Sequence, residues 1–160
     1  MTYQVPRMNA VESRAWLALI TASDLLPSAL DSQLQRDAGL THFEFVACTV
    51  LRQAEHNRLR MTDLAAATNA TLPRLSKVVS RMESRGLVER LADEADGRAI
   101  NVLLTQKGRR TLIHAVPKHI EYVRELVLDG LTEEQLNHLA DALEPLVALL
   151  DPQRQFTLRR

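Results

Sequence analysis

Apolar residues recur at helical spacing along most of the chain, and one stretch alone changes to the shorter period of strands. Residues 10–36 carry Val11, Trp16, Ile20, Leu26, Leu30 and Leu34 at broadly helical intervals, and Pro27 among them predicts a kink or break. Gly39 closes this segment. Thr41 with Glu44 three residues on forms a capping-box pattern for a second helix, whose apolar face holds Phe43, Val46, Ala47, Val50 and Leu51. A short helix is expected over "DLAAAT", with Thr62 as its N-cap.

After a tight turn at Asn69 and Ala70, Thr71 caps the next helix, and Pro73 is tolerated in its first turn. At 100° per residue, Leu72, Leu75, Val78, Val79 and Met82 share one side. Arg74, Lys77, Ser80, Arg81 and Ser84 share the other, and Gly86 stands where a helix stop is expected. The period then changes. "LVERLA" and "AINVLLT" are β-prone runs flanking "DEADGR", a hairpin pattern with Gly97 near its tip. Thr105 opens a long helix to about Asp129, stopped at Gly130. Thr132 and Gln135 form a further capping box before "LNHLADALEPLVALL". The expected fold is mainly α with a small β-hairpin wing. A winged helix-turn-helix lobe lies between one helix at the start and two at the end.

Composition leaves this picture standing. A chain of 160 residues with 46% hydrophobic and 25% charged residues suits one soluble domain, or two subdomains sharing a core. One cysteine rules out an intrachain disulfide and points to a reducing compartment. With no apolar run of about 20 residues and no secretory pattern at the start, the reading is a cytoplasmic protein with no membrane partner.

The zero net charge looks unfavourable to a nucleic-acid partner until it is divided. Residues 52–110 hold 12 Lys/Arg and 7 Asp/Glu, a balance of +5, and the remainder balances at −5. A basic middle is an electrostatic footprint for an anionic partner. In a helix-turn-helix the second helix enters the major groove, and its N-terminal residues meet base edges. That places Thr71, Pro73, Arg74, Ser76 and Lys77 towards double-stranded DNA, with Arg81, one turn on, better placed for phosphate. Arg98, beside the hairpin glycine, is available to the electronegative minor groove. A solvated basic face explains Arg74 taken alone. The ordered series of turn, basic helix and hairpin favours DNA over a winged helix used only for protein contacts.

The stretch from Arg60 to Gly108 resembles the winged-helix core of the MarR family of transcription regulators. It does so through "MTDLA", "LSKVVSRMESRGLVER", the "DGR" of the wing and "LTQKG", and the flanking helices match over about residues 10–150. The resemblance implies a homodimer on a pseudo-palindromic operator, probing DNA with two winged lobes, and a repressor released by a small aromatic acid. It implies one MarR-type domain over 1–160, with dimerisation helices at about 10–38 and 106–150 and the lobe at about 41–105. It places Arg74, Ser76 and Lys77 at base-reading positions. Asp96 and Arg98 become the wing's Asp-x-Arg, the aspartate bracing the wing and the arginine entering the minor groove. "TLPRLS" departs from the family's Ser/Thr-rich helix start, which affects the individual base contacts and not the fold.

The remaining chemistry is sparse. Cys48, on the apolar side of its helix, reads as a buried structural thiol; a redox sensor is the alternative. His42, His56, His114, His119 and His138 form no i, i+4 pair and no Cys/His cluster, so no metal site is expected, with a metal- or redox-responsive regulator kept as the alternative. Trp16 reads as core or dimer interface. Relatives bind aromatic acids between dimer helices and lobe, so Trp16 and Phe43 become apolar candidates for an effector site, with His119 as its polar group. No nucleophile elbow, phosphate loop or metalloprotease helix is present, hence no catalytic residues, no cofactor and no enzyme.

Overall fold

In the computed structural model, residues 4–93 and 99–156 are described. The elements run α1 (Ala10–Ala38), α2 (His42–Gln53), a 3-10 turn (Glu55–Asn57), β1 (Arg58–Arg60), α3 (Met61–Ala67), α4 (Leu72–Ser84), β2 (Val88–Ala92), β3 (Ile100–Leu104), α5 (Gln106–Val123) and α6 (Glu133–Leu150). A π-helical turn, Arg124–Leu128, extends α5.

Local signals set most boundaries. Asn9, Thr41 and Thr132 each cap a helix through a complete capping box, with Glu12, Glu44 and Gln135 closing them. Thr71 and Thr105 cap α4 and α5 by accepting from Arg74 N–H and Gly108 N–H. Gly39 (φ 63°) and Gly86 (φ 70°) take the left-handed conformation that ends α1 and follows α4.

Three expectations need correction, and one strand was not expected. Pro27 does not break the first helix. Ser23 and Pro27 are both exposed, so the carbonyl freed by the missing N–H is left to water. Thr62 is not the N-cap of α3: the helix begins at Met61, Arg60 holds the cap position without a side-chain bond, and the Thr62 hydroxyl meets Asp63 instead. Leu72 lies in the exposed first turn of α4 rather than with the core face. β1 carries no alternating signal of its own. It exists because Arg58, Leu59 and Arg60 pair antiparallel with Leu103, Val102 and Asn101, after His56 and Asn57 turn the chain in the left-handed region.

The three-stranded sheet has order β1-β3-β2, and β2 pairs β3 from Val88↔Leu104 to Ala92↔Ile100. Gly97, Asp96 and Arg98, the tip of the expected hairpin, lie outside the described residues. The buried apolar cluster gathers Leu40 from the α1–α2 corner, Leu51, Leu64, Leu75, Val79 and Met82 from the helices, and Val102 and Leu104 from the sheet. Gly108 sits so tightly against the Leu87 carbonyl that an added Cβ would come within 2.1 Å of its oxygen, which locks the start of α5 to the strand that leaves α4. The outer helices are different. α1 buries only Ser13, Gln33 and Leu34, and α6 buries nothing.

Candidate nucleic-acid interface

α4 follows α3 after a tight turn and is held by its inward face, with Leu75, Val78, Val79 and Met82 buried. On its opposite face no side chain is buried. Thr71, Pro73, Arg74, Ser76, Lys77 and Arg81 are all exposed on it, so the structure brings together every described residue assigned to DNA contact from the sequence. Arg74, Lys77 and Arg81 flank one shallow cleft of about 530 Å³ between α4 and the α1–α2 corner, facing Asp31, Thr41 and Phe43. Asp96 and Arg98 fall outside the described residues.

Arg74 is not loose. Its guanidinium lies over the Phe43 ring, 4.8 Å from the centroid, a cation–π distance. The contact holds the side chain at the N-terminal end of α4, the end nearest base edges in a helix-turn-helix complex.

The wing is tied to α4 by Arg90, a residue that sequence reasoning missed. From β2 its guanidinium donates to Glu83 Oε2 (3.0 Å), to the Ser76 carbonyl (2.8 Å) and to Ser80 Oγ (2.8 Å), while its own N–H donates to Glu83 Oε1 (2.9 Å). Four bonds from one residue fix the strand that carries the wing against the helix. Oppositely charged Glu83 and Arg90 on either side of Gly86 were the available signal. At the base of the wing, Asp93 N–H donates to the Ala99 carbonyl, Asn101 Nδ2 donates to Asp93 Oδ2 (3.0 Å), and Arg60 approaches the same oxygen at 3.5 Å. A second tie secures the far end of α4. Arg85 donates to buried Glu44 (3.0 Å) and to the Gly39 carbonyl, joining α4 to the α1–α2 corner.

The three residues proposed for an effector site separate. Phe43 borders the cleft just described and a second one of about 460 Å³, which runs between α1 and α2 past Pro27, His42 and Arg74. Trp16 is half exposed on α1 and lines neither. His119 is buried. Its Nδ1–H donates to Gln33 Oε1 (2.9 Å), whose amide nitrogen donates in turn to Asp37 (3.0 Å), and its ring stands 4.5 Å from Phe45 and 6.4 Å from His42. Burial lowers the pKa of His119, and the neighbouring His42 lowers it further. His42 is lowered by burial as well, partly offset by Asp31. The bond from Gln33 holds Asp37 below the usual carboxylate range.

Cys48 is buried on α2, where loss of solvent, with Glu44 adding to it, pushes the thiol up to about 12. It is a packed side chain, not a poised thiolate. Among the described residues no group of three His, Cys, Asp or Glu is arranged to hold a metal ion, and no helix is long and apolar enough to cross a membrane.

A basic recognition helix braced to a wing is the arrangement of known DNA-binding regulators, and comparison with such proteins agrees. Residues 44–99 match the model of the MarR family. The chain is 37% identical to Sco3205, a MarR family transcriptional regulator from Streptomyces coelicolor seen in complex with DNA, covering 89% of this chain and 93% of that one with a TM-score of 0.83. It is 34% identical to AbsC, another MarR family regulator from the same organism, over 92% of this chain and 99% of that one (TM-score 0.84). It is 22% identical over 124 residues to the transcriptional repressor MprA of Escherichia coli strain K12, covering 78% of this chain and 70% of the relative. With an outward basic α4 in a fold shared over about nine-tenths of its length with Sco3205 and AbsC, the chain belongs to the MarR family of DNA-binding transcriptional regulators.

Proposed function

We propose that this regulator acts as a homodimeric, sequence-specific repressor on a pseudo-palindromic operator. The observation that carries the reading is the outward face of α4, where Arg74 is seated on Phe43 and the wing strand is clamped through Arg90. Thr71, Pro73, Arg74, Ser76 and Lys77 then meet base edges in the major groove, and Arg81 meets phosphate. Arg98 enters the minor groove and Asp96 braces the wing. Residues 1–160 form one domain, the lobe at about 41–105 reading DNA and the helices at about 10–38 and 106–150 joining two copies. The exposed leucines of α6 support that role, since a stripe with nothing buried beneath it fits a self-complementary contact. MprA, a repressor by name, supports the sign of regulation.

The second cleft supports release by a small aromatic acid. Phe43 offers a ring face and Arg74 a cation in one wall, so a ligand carboxylate there would draw on the same arginine that reads DNA. Trp16 and His119 take indirect parts in this scheme, Trp16 on the dimer face and His119 behind the α1–α2–α5 junction.

Selection of genomic fragments on the purified protein tests the whole reading. An enriched inverted repeat, with half-sites one helical turn apart (~34 Å) and binding that weakens steeply with salt, is the expected result. Enrichment of no sequence, or binding indifferent to salt, would overturn it.

A further inference from the structure

The wing rises from a sheet of three strands, and only two of them form the hairpin. The third, β1, pairs with β3 as far as Arg60↔Asn101, one residue from the end of β3 that adjoins the wing. Arg60 is also the N-cap residue of α3, the first helix of the helix-turn-helix. It therefore stands at the corner where α3 and the root of the wing meet. In helix-turn-helix complexes the second helix enters the major groove while the first crosses the DNA backbone. A wing that reaches the adjacent minor groove lies between two lines of phosphates. The corner between those two elements is thus brought to the backbone from both sides.

The side chain of Arg60 suits that position. Its guanidinium is about half exposed, and one nitrogen stands 3.5 Å from Asp93 Oδ2, an ion pair longer than a hydrogen bond. Asp93 is itself held by Asn101, whose Nδ2 donates to the same oxygen at 3.0 Å. Among the described residues no acceptor takes a hydrogen bond from the Arg60 fork. The two other structural arginines of the lobe are committed. Arg85 bonds Glu44 and the Gly39 carbonyl, and Arg90 bonds Glu83, Ser76 and Ser80. We propose that Arg60 binds a phosphate of the duplex between α3 and the wing, one nitrogen staying on Asp93 and the others on the phosphate oxygens. This rests on the DNA reading above and adds a backbone contact that belongs to neither α4 nor the wing tip. Such a contact sets the register of the lobe on the duplex and carries no base preference. It also offsets the charge of Asp93, which alone would repel the backbone at the root of the wing.

A phosphate contact does not depend on the bases, so the test uses a random-sequence duplex of about 40 base pairs and follows affinity against salt by fluorescence anisotropy. Arg60→Ala is expected to weaken binding about fivefold and to flatten the slope of log affinity against log salt by about 0.9 for each lobe on the DNA. Arg60→Gln keeps a hydrogen-bond donor for Asp93 without the charge, and its slope should match that of Arg60→Ala. Arg60→Lys should keep the slope of the parent. Arg58→Ala removes an exposed arginine from the other end of β1 and controls for net charge, with a smaller change expected. A parental slope in Arg60→Ala would overturn the proposal. A parental slope in Arg60→Gln would do the same, reducing Arg60 to a brace for Asp93, and if the alanine variant fails to fold, the Gln and Lys pair still decides. Equal flattening in Arg58→Ala would show bulk charge in place of a placed contact, and would also overturn it. A parent chain whose binding is indifferent to salt would instead sink the DNA reading itself, and this contact with it.

Discussion

All of the buried apolar cluster except Leu34, Leu112 and Ala115 lies between Leu40 and Leu104, inside the lobe that carries α4 and the wing. α6, as rich in leucine as any part of the chain, buries none of them, and Leu149 and Leu150 are about four-fifths exposed. The two regions have similar helical patterning and opposite fates. Leu75 and Val79 are buried in a cluster within their own chain, where α4 packs on α3 and β2, whereas Leu139 and Leu150 face outward. Amphipathicity states that a face will be covered, not by what. In the lobe the cover is intramolecular; at the ends of the chain the proposed cover is a second copy.

The contrast can be broken most directly through stability. Leu75→Ala removes a fully buried side chain and should cost about 2–5 kcal/mol in urea unfolding. Leu139→Ser combined with Leu150→Ser should instead make the melting temperature and sedimentation depend more strongly on protein concentration, as expected when association rather than the core is weakened. A doubly substituted protein that sediments and melts like the parent would remove the basis for assigning α6 to a dimer.

Next in size are the contacts of α4. Arg74→Ala should cost about 1–3 kcal/mol on the selected operator and relax preference at one base pair, measured by fluorescence anisotropy across single-base variants. Arg90→Ala should lower operator affinity about tenfold, near 1.4 kcal/mol, without changing which bases are preferred, because the residue positions the wing rather than reading sequence. Arg90→Lys should restore little, since an ammonium cannot reproduce a planar fork that reaches Ser76, Ser80 and Glu83 at once.

A smaller effect tests the seam between the two regions, where His119 of α5 meets Gln33 of α1 and the rings of α2. Both His42 and His119 have folded pKa values below the ordinary 6.5. The unfolded chain therefore takes up these protons first as pH falls. Their stabilising effect is complete above about pH 6.5 and declines below it, until the folded values are also passed. The melting temperature of the parent should fall between pH 7 and pH 5 more than that of His119→Gln. Equal slopes would show that the junction does not resist protonation. Asp37, held below its ordinary 3.8, contributes its loss only at more acidic pH and stays outside this window.

The smallest effect belongs to Cys48. With its thiol pushed up to about 12 and its side chain buried, it should be inert to a disulfide reagent in the native protein and react once urea opens the lobe. Rapid native labelling would show that the core around α2 opens more readily than its packing implies.

Much of this protein was legible from residues close together in the sequence. The capping pairs Thr41–Glu44 and Thr132–Gln135, the left-handed glycines 39 and 86 and the split faces of α4 are local arrangements, and local physics decides them. The exposed basic arc followed for the same reason: once Leu75, Val78, Val79 and Met82 turn inward, Arg74, Lys77 and Arg81 must turn out. Tertiary structure decided what depends on partners distant in the chain. β1 is a strand only because β3 pairs with it, and Pro27 stays within an unbroken helix where it and Ser23, whose carbonyl it leaves unpaired, are both exposed. Arg74 is seated by a phenylalanine 31 positions away, and Arg90 is a clamp only because β2 lies beside α4. The sequence offers His119 as a polar wall of a cavity, and the fold bonds it to Gln33, 86 residues earlier. A hydrogen-bond partner or a ring face that far along the chain leaves no periodic trace, so only the folded arrangement could select it.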